Sequence, residues 1–245
     1  VLHLGRPSHI STNFGADLVK RLNFNLVGTN KILDLSLHHN VKKIVVLSTF
    51  HVYGALVDNP VYIKEDSVLR ASIKFPELRD VVEMDQIATA WMWKNKSQVD
   101  TIILRPCNII GPQINNTMTK YLKSNYAPLP IDFNPMFQFV HEFDMASVLL
   151  ESIIKVPTGI YNVAGPGVIS IREAKKRVGS NYLPVPISIL EPLSDLVTSK
   201  VWQFPKYLLE YMKYSCILDT SEIEKHLSKD IYKFGIQKAL ELMRL

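Results

Sequence analysis

The feature that most constrains this chain is the run Lys42-Lys43-Ile44-Val45-Val46-Leu47. A short, continuous, β-branched stretch of this kind fits a strand covered on both faces, as the inner strands of a parallel sheet are. Parallel neighbours cannot be joined by a tight turn, so a crossover, usually a helix, must lie on either side. The sequence supplies both. Residues 14–38 have helical spacing, with Leu18, Leu22, Leu26, Ile32, Leu33 and Leu37 forming one apolar face, and a second helix is predicted over 78–95. Residues 1–4 read as another buried strand, and so does Thr101-Ile102-Ile103-Leu104, which ends at Arg105-Pro106. A polar turn region, 58–74, separates the Lys42 strand from the second helix. Alternation of this kind predicts an α/β chain built from βαβ units.

Beyond Gly111-Pro112 the pattern loosens, and prolines at 128, 130, 135, 157, 166, 184, 186, 192 and 205 punctuate short elements. Residues 187–214 are apolar and aromatic, with Trp202, Phe204, Tyr207, Tyr211 and Tyr214, and are read as a packed helical lobe. Composition excludes several function classes. The formal charge of +5 is spread thinly, so no basic element is prepared for nucleic acid. No stretch approaches the roughly 18–20 apolar residues of a membrane span. Val1-Leu2-His3-Leu4-Gly5 reads as a strand end rather than a secretory leader. Cys107 and Cys216 stand far apart in apolar contexts, as reduced core thiols do, which sets the expectation of a cytoplasmic protein. The cysteines and histidines show no zinc spacing, so no metal is expected.

Four segments, in order, resemble the extended short-chain dehydrogenase/reductase family of UDP-sugar epimerases and sugar-nucleotide dehydratases. His3-Leu4-Gly5, followed by Asn25-Leu26-Val27-Gly28-Thr29, is similar to the family's "HLA … NVxGT". Leu47-Ser48-Thr49-Phe50-His51-Val52-Tyr53-Gly54 is similar to "SS/STxxVYG". Leu104-Arg105-Pro106-Cys107-Asn108-Ile109-Ile110-Gly111-Pro112 is similar to "LRPxNxxGP". Phe139-Val140-His141-Glu142-Phe143-Asp144-Met145-Ala146, followed by Gly159-Ile160-Tyr161-Asn162-Val163, resembles "FVHVxDxA" and "GxYNV". From Ser180 onward the likeness is generic.

The resemblance implies a Rossmann-type, doubly wound parallel sheet lacking its N-terminal strands, with a smaller C-terminal α+β substrate lobe. Residues 1–112 would form a partial dinucleotide-binding core. Residues 113–245 would combine returning core elements, at about 136–165, with the substrate-binding lobe. It implies NAD or NADP as cofactor, near His3, Leu4, Gly5, Asn25, Leu47, Ser48, Pro106 and Cys107. It implies a nucleotide-sugar-like substrate, with Thr49 orienting the reacting oxygen and Asn108 binding the substrate. Independently of the family, a hydroxyl at the carboxyl end of a buried parallel strand lies where open α/β sheets bind ligands. Capping of the strand end by Thr49, and a self-satisfied turn at Asn108, stay open as alternatives. In the family, His141 is held in the core and Asp144 caps the following helix. Members often form homodimers through two helices, here 14–38 and 78–95.

Two departures stand out. The glycine-rich GxxGxxG of the family precedes its "HLA" strand. Here the chain opens in that strand without an initiator methionine, so a fragment is expected. The YxxxK motif, whose Tyr moves the proton, should fall within Phe75-Pro76-Glu77-Leu78-Arg79-Asp80-Val81. One register places Glu77 and Val81 at the Tyr and Lys positions; another places Phe75 and Arg79 there. Neither supplies a phenol. Glu77 is the nearest positional candidate for proton transfer, and Tyr53 and Tyr62 are possible substitutes. The expected function is NAD(P)-dependent oxidoreduction of a nucleotide sugar, of the epimerase/dehydratase type. The alternative is a catalytically inactive binding or regulatory module with the same fold.

Overall fold

The computed structural model describes residues 1–5, 18–190, 192 and 207–244. Its centre is a four-stranded, all-parallel sheet in the order β1 (Leu2–His3), β2 (Lys43–Leu47), β3 (Asp100–Pro106) and β8 (Gly159–Val163). The β-branched run is the second strand, flanked on both sides as its composition predicts. Its side chains alternate between two cores. Ile44 and Val46, with Ile103 of β3, meet Leu33, Ala88, Trp91 and Met92 on one face. Val45, Ile102 and Leu104 join the larger core on the other, which reaches into the C-terminal lobe.

The first crossover is a long helix in three pieces: α1 (Leu18–Leu22), a π-helical turn (Asn23–Val27) and α2 (Gly28–His38). The π turn buries Asn25. Residues 14–17 of the predicted helix lie outside the described residues, as do 193–206 of the predicted lobe, Trp202 and Phe204 among them. The second crossover carries α3 (Ala71–Lys74), a 3-10 turn (Pro76–Leu78) and α4 (Arg79–Asn95). Between β3 and β8 the chain leaves the sheet and returns. It forms β4 (Asn108–Ile110), α5 (Thr117–Lys123), β5 (Ala127–Pro130), β6 (Met136–Phe137), β7 (Phe139–His141) and α6 (Glu142–Ile154). β7 runs parallel to β4.

After β8 come β9 (Ile169–Ser170), α7 (Ile171–Val178) and β10 (Tyr182–Val185), which pairs in parallel with β5. Lys175 of α7 is fully buried and donates to the carbonyls of Tyr121 (2.9 Å), Leu122 (3.4 Å) and Ser124 (2.9 Å), capping the C-terminal end of α5. Burial pushes its ammonium down to about 8.

One family expectation needs correction. Asp144 does not cap α6. His141 holds the N-cap, its Nδ1 accepting from Phe143 N (3.3 Å). Asp144 instead accepts from the backbone of Lys233 (3.0 Å) and Phe234 (3.1 Å), tying the C-terminal segment to α6. The position is inside the first turn, so its carboxylate is free to reach a distant loop. No described helix is long and apolar enough to cross a membrane.

Candidate functional site

The carboxyl ends of β1, β2 and β3 open into one cavity of about 230 Å³. Leu4 lines it from β1's end, Leu47, Ser48 and Thr49 from β2's end, and Pro106, Cys107 and Asn108 from β3's end. Leu78, Asp80 and Val81 close it from the start of α4, and Tyr207 and Leu208 from the C-terminal lobe. This is the crevice that a parallel sheet offers to ligands.

Thr49 serves two purposes. It is the N-cap of the 3-10 turn Phe50–Val52, accepting from His51 N (3.4 Å), and its Oγ1 also lies 2.9 Å from His51 Nδ1. His51 lines the cavity too. Its ring meets Tyr207 (5.7 Å between centroids) and Tyr211 (5.1 Å) edge-on. Tyr211 Oη donates to the His51 carbonyl (3.3 Å), so the lobe is clamped onto this turn. Asn108 is buried and its backbone belongs to β4, in register with Phe139. Its side-chain amide has no hydrogen-bond partner among the described residues and lines the cavity. Cys107 is a buried free thiol whose burial pushes its pKa up, so it stays protonated.

Beneath the cavity floor lies a buried polar chain. Ser48 Oγ donates to Asp85 (2.5 Å), and Asp85 receives a two-pronged pair from Arg105 (3.0 and 2.7 Å). Arg105 continues to Tyr53 Oη (2.9 Å), which donates to Asn162 Oδ1 (2.7 Å). Burial works against the Arg105 charge, but the bonds and charge of Asp85 outweigh it, and the guanidinium stays ionised. Desolvation pushes the Tyr53 phenol up to about 12, against the pull of Arg105. Tyr53 therefore belongs to the core and does not reach the cavity. Tyr62 is exposed over a separate surface hollow. Neither replaces the missing phenol at this site.

A second buried group stands at the cavity's edge. Asp80 accepts from Arg21 Nε (3.2 Å) and from Asn25 Nδ2 (2.8 Å), and Arg21 also donates to the Glu77 carbonyl (2.9 Å). Asn25 thus approaches the site through Asp80. Glu77 is half-buried in the 3-10 turn, outside the cavity lining. Val81 is buried and lines the cavity, so the register pairing it with the lysine places an apolar side chain there. In the other register Phe75 is buried, while Arg79 points outward to Glu83 (2.5 Å). His3 is buried, held by Thr29 Oγ1 (2.9 Å) and kept neutral by desolvation. Gly5 is exposed, with open space beside it.

A family model described as the NAD dependent epimerase/dehydratase family matches residues 1–164. The chain belongs to this family. Uncharacterized proteins of Mycobacterium tuberculosis (Rv0501) and Mycobacterium bovis (Mb0513) are each 24% identical over 229 residues, covering 93% of this chain. The chain spans 60% of their length.

Solved structures share the fold. RMD from Pseudomonas aeruginosa, complexed with NADPH, superposes with a TM-score of 0.74 at 14% identity, covering 100% of this chain and 79% of that one. The dTDP-glucose 4,6-dehydratase DesIV of Streptomyces venezuelae, with NAD and TYD bound, gives 0.72 at 20%, covering 98% and 70%. UDP-glucose 4-epimerase of Thermus thermophilus, in complex with NAD, gives 0.70 at 18%, covering 99% and 75%.

In this member of the NAD dependent epimerase/dehydratase family, the polar or aromatic cavity residues to which the sequence motifs assign no role include His51, Asp80 and Tyr207. His51 was legible in principle, since a Thr-x-His spacing at a strand end lets the hydroxyl meet the ring in one turn. Asp80 was not, because its partners lie 59 and 55 residues away. Tyr207 enters the site only through packing of the C-terminal lobe.

Proposed function

We propose that this chain is the substrate-side portion of an NAD(P)-dependent oxidoreductase of the epimerase/dehydratase type, acting on a nucleotide-sugar-like molecule by hydride transfer. The observation that carries this reading is the cavity at the carboxyl ends of β1, β2 and β3, where Thr49 and the unpartnered Asn108 amide converge. Structural neighbours in complex with NAD or NADPH, one of them with TYD also bound, support it.

The residues present fit the nicotinamide end of such a cofactor. Leu4, Leu47 and Pro106 offer apolar strand ends, and the Ser48 backbone and Cys107 continue that wall. His3, Gly5 and Asn25 lie outside the cavity lining, Asn25 being linked to it through Asp80. The cavity is too small for a whole dinucleotide, and no glycine-rich pyrophosphate cradle occurs among the described residues. The cofactor, when bound, would supply hydride exchange. The chain's residues would orient the substrate oxygen (Thr49), hold the sugar or its phosphates (Asn108) and exclude water through the aromatic clamp at Tyr207 and Tyr211. Glu77, outside the lining, would need the turn Pro76–Leu78 to move before it could exchange a proton with substrate.

One observation favours a second reading, a catalytically silent binding module. Val81, apolar, occupies the cavity wall where one register puts the ribose-binding lysine. The two readings differ in one experiment. The full-length protein is titrated with NADH and NADPH by fluorescence, then given NAD or NADP with UDP-, dTDP- and GDP-sugars while nicotinamide absorbance and conversion of the sugar are both followed. Binding with turnover is expected. Binding without hydride exchange on any sugar nucleotide supports the silent module, and no binding at all defeats the oxidoreductase reading.

Two further features of the proposal concern partners and place. Val19, Phe24, Val27 and Leu35 of the first crossover helix and Trp93 of α4 are exposed apolar side chains on neighbouring helices, as a homodimer interface through these helices would require. The two buried free thiols suit a reducing, cytoplasmic compartment.

A further inference from the structure

We infer that Thr49 and His51 together form the proton-transfer pair of this site, in the place of the missing phenol. The inference rests on the oxidoreductase reading above and deepens it. Both side chains line the same cavity, and their polar atoms stand 2.9 Å apart. A general acid/base must sit within hydrogen-bond reach of the proton it moves, directly or through one intervening group. A threonine hydroxyl is such a group, since it donates one hydrogen and accepts another.

Two other ionisable side chains of the cavity are held in forms unsuited to the role. Asp80 is paired with Arg21 at 3.2 Å. Cys107 is held protonated by burial. Tyr207, which lines the cavity, and Tyr211, which does not, pack against the imidazole ring in T-shaped contacts. The imidazole is the cavity group whose ordinary titration range spans neutral pH.

The relay uses the ring tautomer protonated at Nε2. Thr49 Oγ1 accepts from His51 N at 3.4 Å, and in that tautomer its own hydrogen is donated to His51 Nδ1 at 2.9 Å. The substrate's carbinol proton passes to Thr49 Oγ1 as the threonine's hydrogen moves to His51 Nδ1, and imidazole becomes imidazolium. A bound oxidised nicotinamide would supply the acceptor for the hydride that leaves the carbinol carbon with the C–H electron pair, so that the carbinol would become a carbonyl. Reduction of the carbonyl runs the same route backward and returns the proton.

The test uses the full-length protein with isotope-labelled histidine, with the His51 resonances assigned by their loss in His51→Gln. In wild type, Nδ1 is expected to report an unprotonated acceptor near neutral pH, and Thr49→Val should change that signal. NADH binding is measured in parallel. With a sugar nucleotide that turns over, His51→Gln and Thr49→Val should each lower the rate roughly 10²–10⁴-fold. Both should abolish the loss of oxidation rate toward acid pH, and the double variant should be no slower than either single one. An Nδ1 that carries the hydrogen in wild type overturns the pair even if His51→Gln misfolds. So does a His51→Gln enzyme with the wild-type pH profile, or NADH binding with no turnover on any sugar nucleotide. Absence of NADH binding by wild type removes the underlying oxidoreductase reading as well, which separates the two failures.

Discussion

At the scale of single residues, the site divides into groups that face the cavity and groups that hold them. Ser48 illustrates the second kind. The resemblance places it beside the cofactor, and it does line the cavity, but its hydroxyl is bound to Asp85. Asp85 and Arg105 are almost completely buried, 0% and 3% exposed at their side chains, so each charge depends on the other. Asp85→Asn would strand the guanidinium, at a cost of about 3–5 kcal/mol, because the lost partner cannot be replaced by water. Ser48→Ala removes one hydrogen bond and should cost about 1–2 kcal/mol. Chemical denaturation of the two variants checks this, and equal small losses would show that the pair is not the support of the floor. Tyr53 and Arg105 were visible in the sequence as motif letters. Their bond was not, because it joins positions 52 residues apart that only the sheet brings together.

At the scale of elements, the junction between β7 and α6 makes a pH prediction. His141 is buried and stacked on Phe234 (4.0 Å, 22°), and its Nε2 has no partner among the described residues. Desolvation lowers its pKa, against the pull of Glu142 and Asp144. In the unfolded chain a histidine takes up a proton near its ordinary value of about 6.5. The folded chain resists until lower pH, so the unfolded state binds more protons in between and stability falls as the solution is acidified through that window. His3, lowered by burial as well, adds to the same slope. His141→Phe should flatten the dependence of Tm on pH below about 6.5, leaving the part due to His3; an unchanged slope would remove His141 from the account. The crossover helices make a second prediction at this scale. If they form a dimer interface, Val27→Asp on the π turn, where the valine is 62% exposed, should shift the protein toward monomer in light scattering without changing its Tm by more than a degree or so.

At the scale of the whole molecule, the parallel sheet and the chemical identity of its strand ends were legible from residues 1–164, and the strand order came from the structure. Periodicity and β-branching report burial, and a strand buried on both faces has few alternatives to a parallel sheet between helices. Most of the ordered motifs that carry the family resemblance lie at strand ends, where backbone geometry restricts the residues that fit; Asn25–Thr29 lies within the first crossover helix. The tertiary structure decided the rest. It put Glu77 outside the cavity and Tyr53 in the core, brought Asp80 under Arg21, gave the α6 cap to His141 rather than Asp144, and set Tyr207 over the turn carrying His51. These are contacts between segments distant in the chain, and local sequence carries no record of them. The amino-acid order determines which strand ends meet at the crevice; packing of the lobe and of α4 determines which side chains are left facing it.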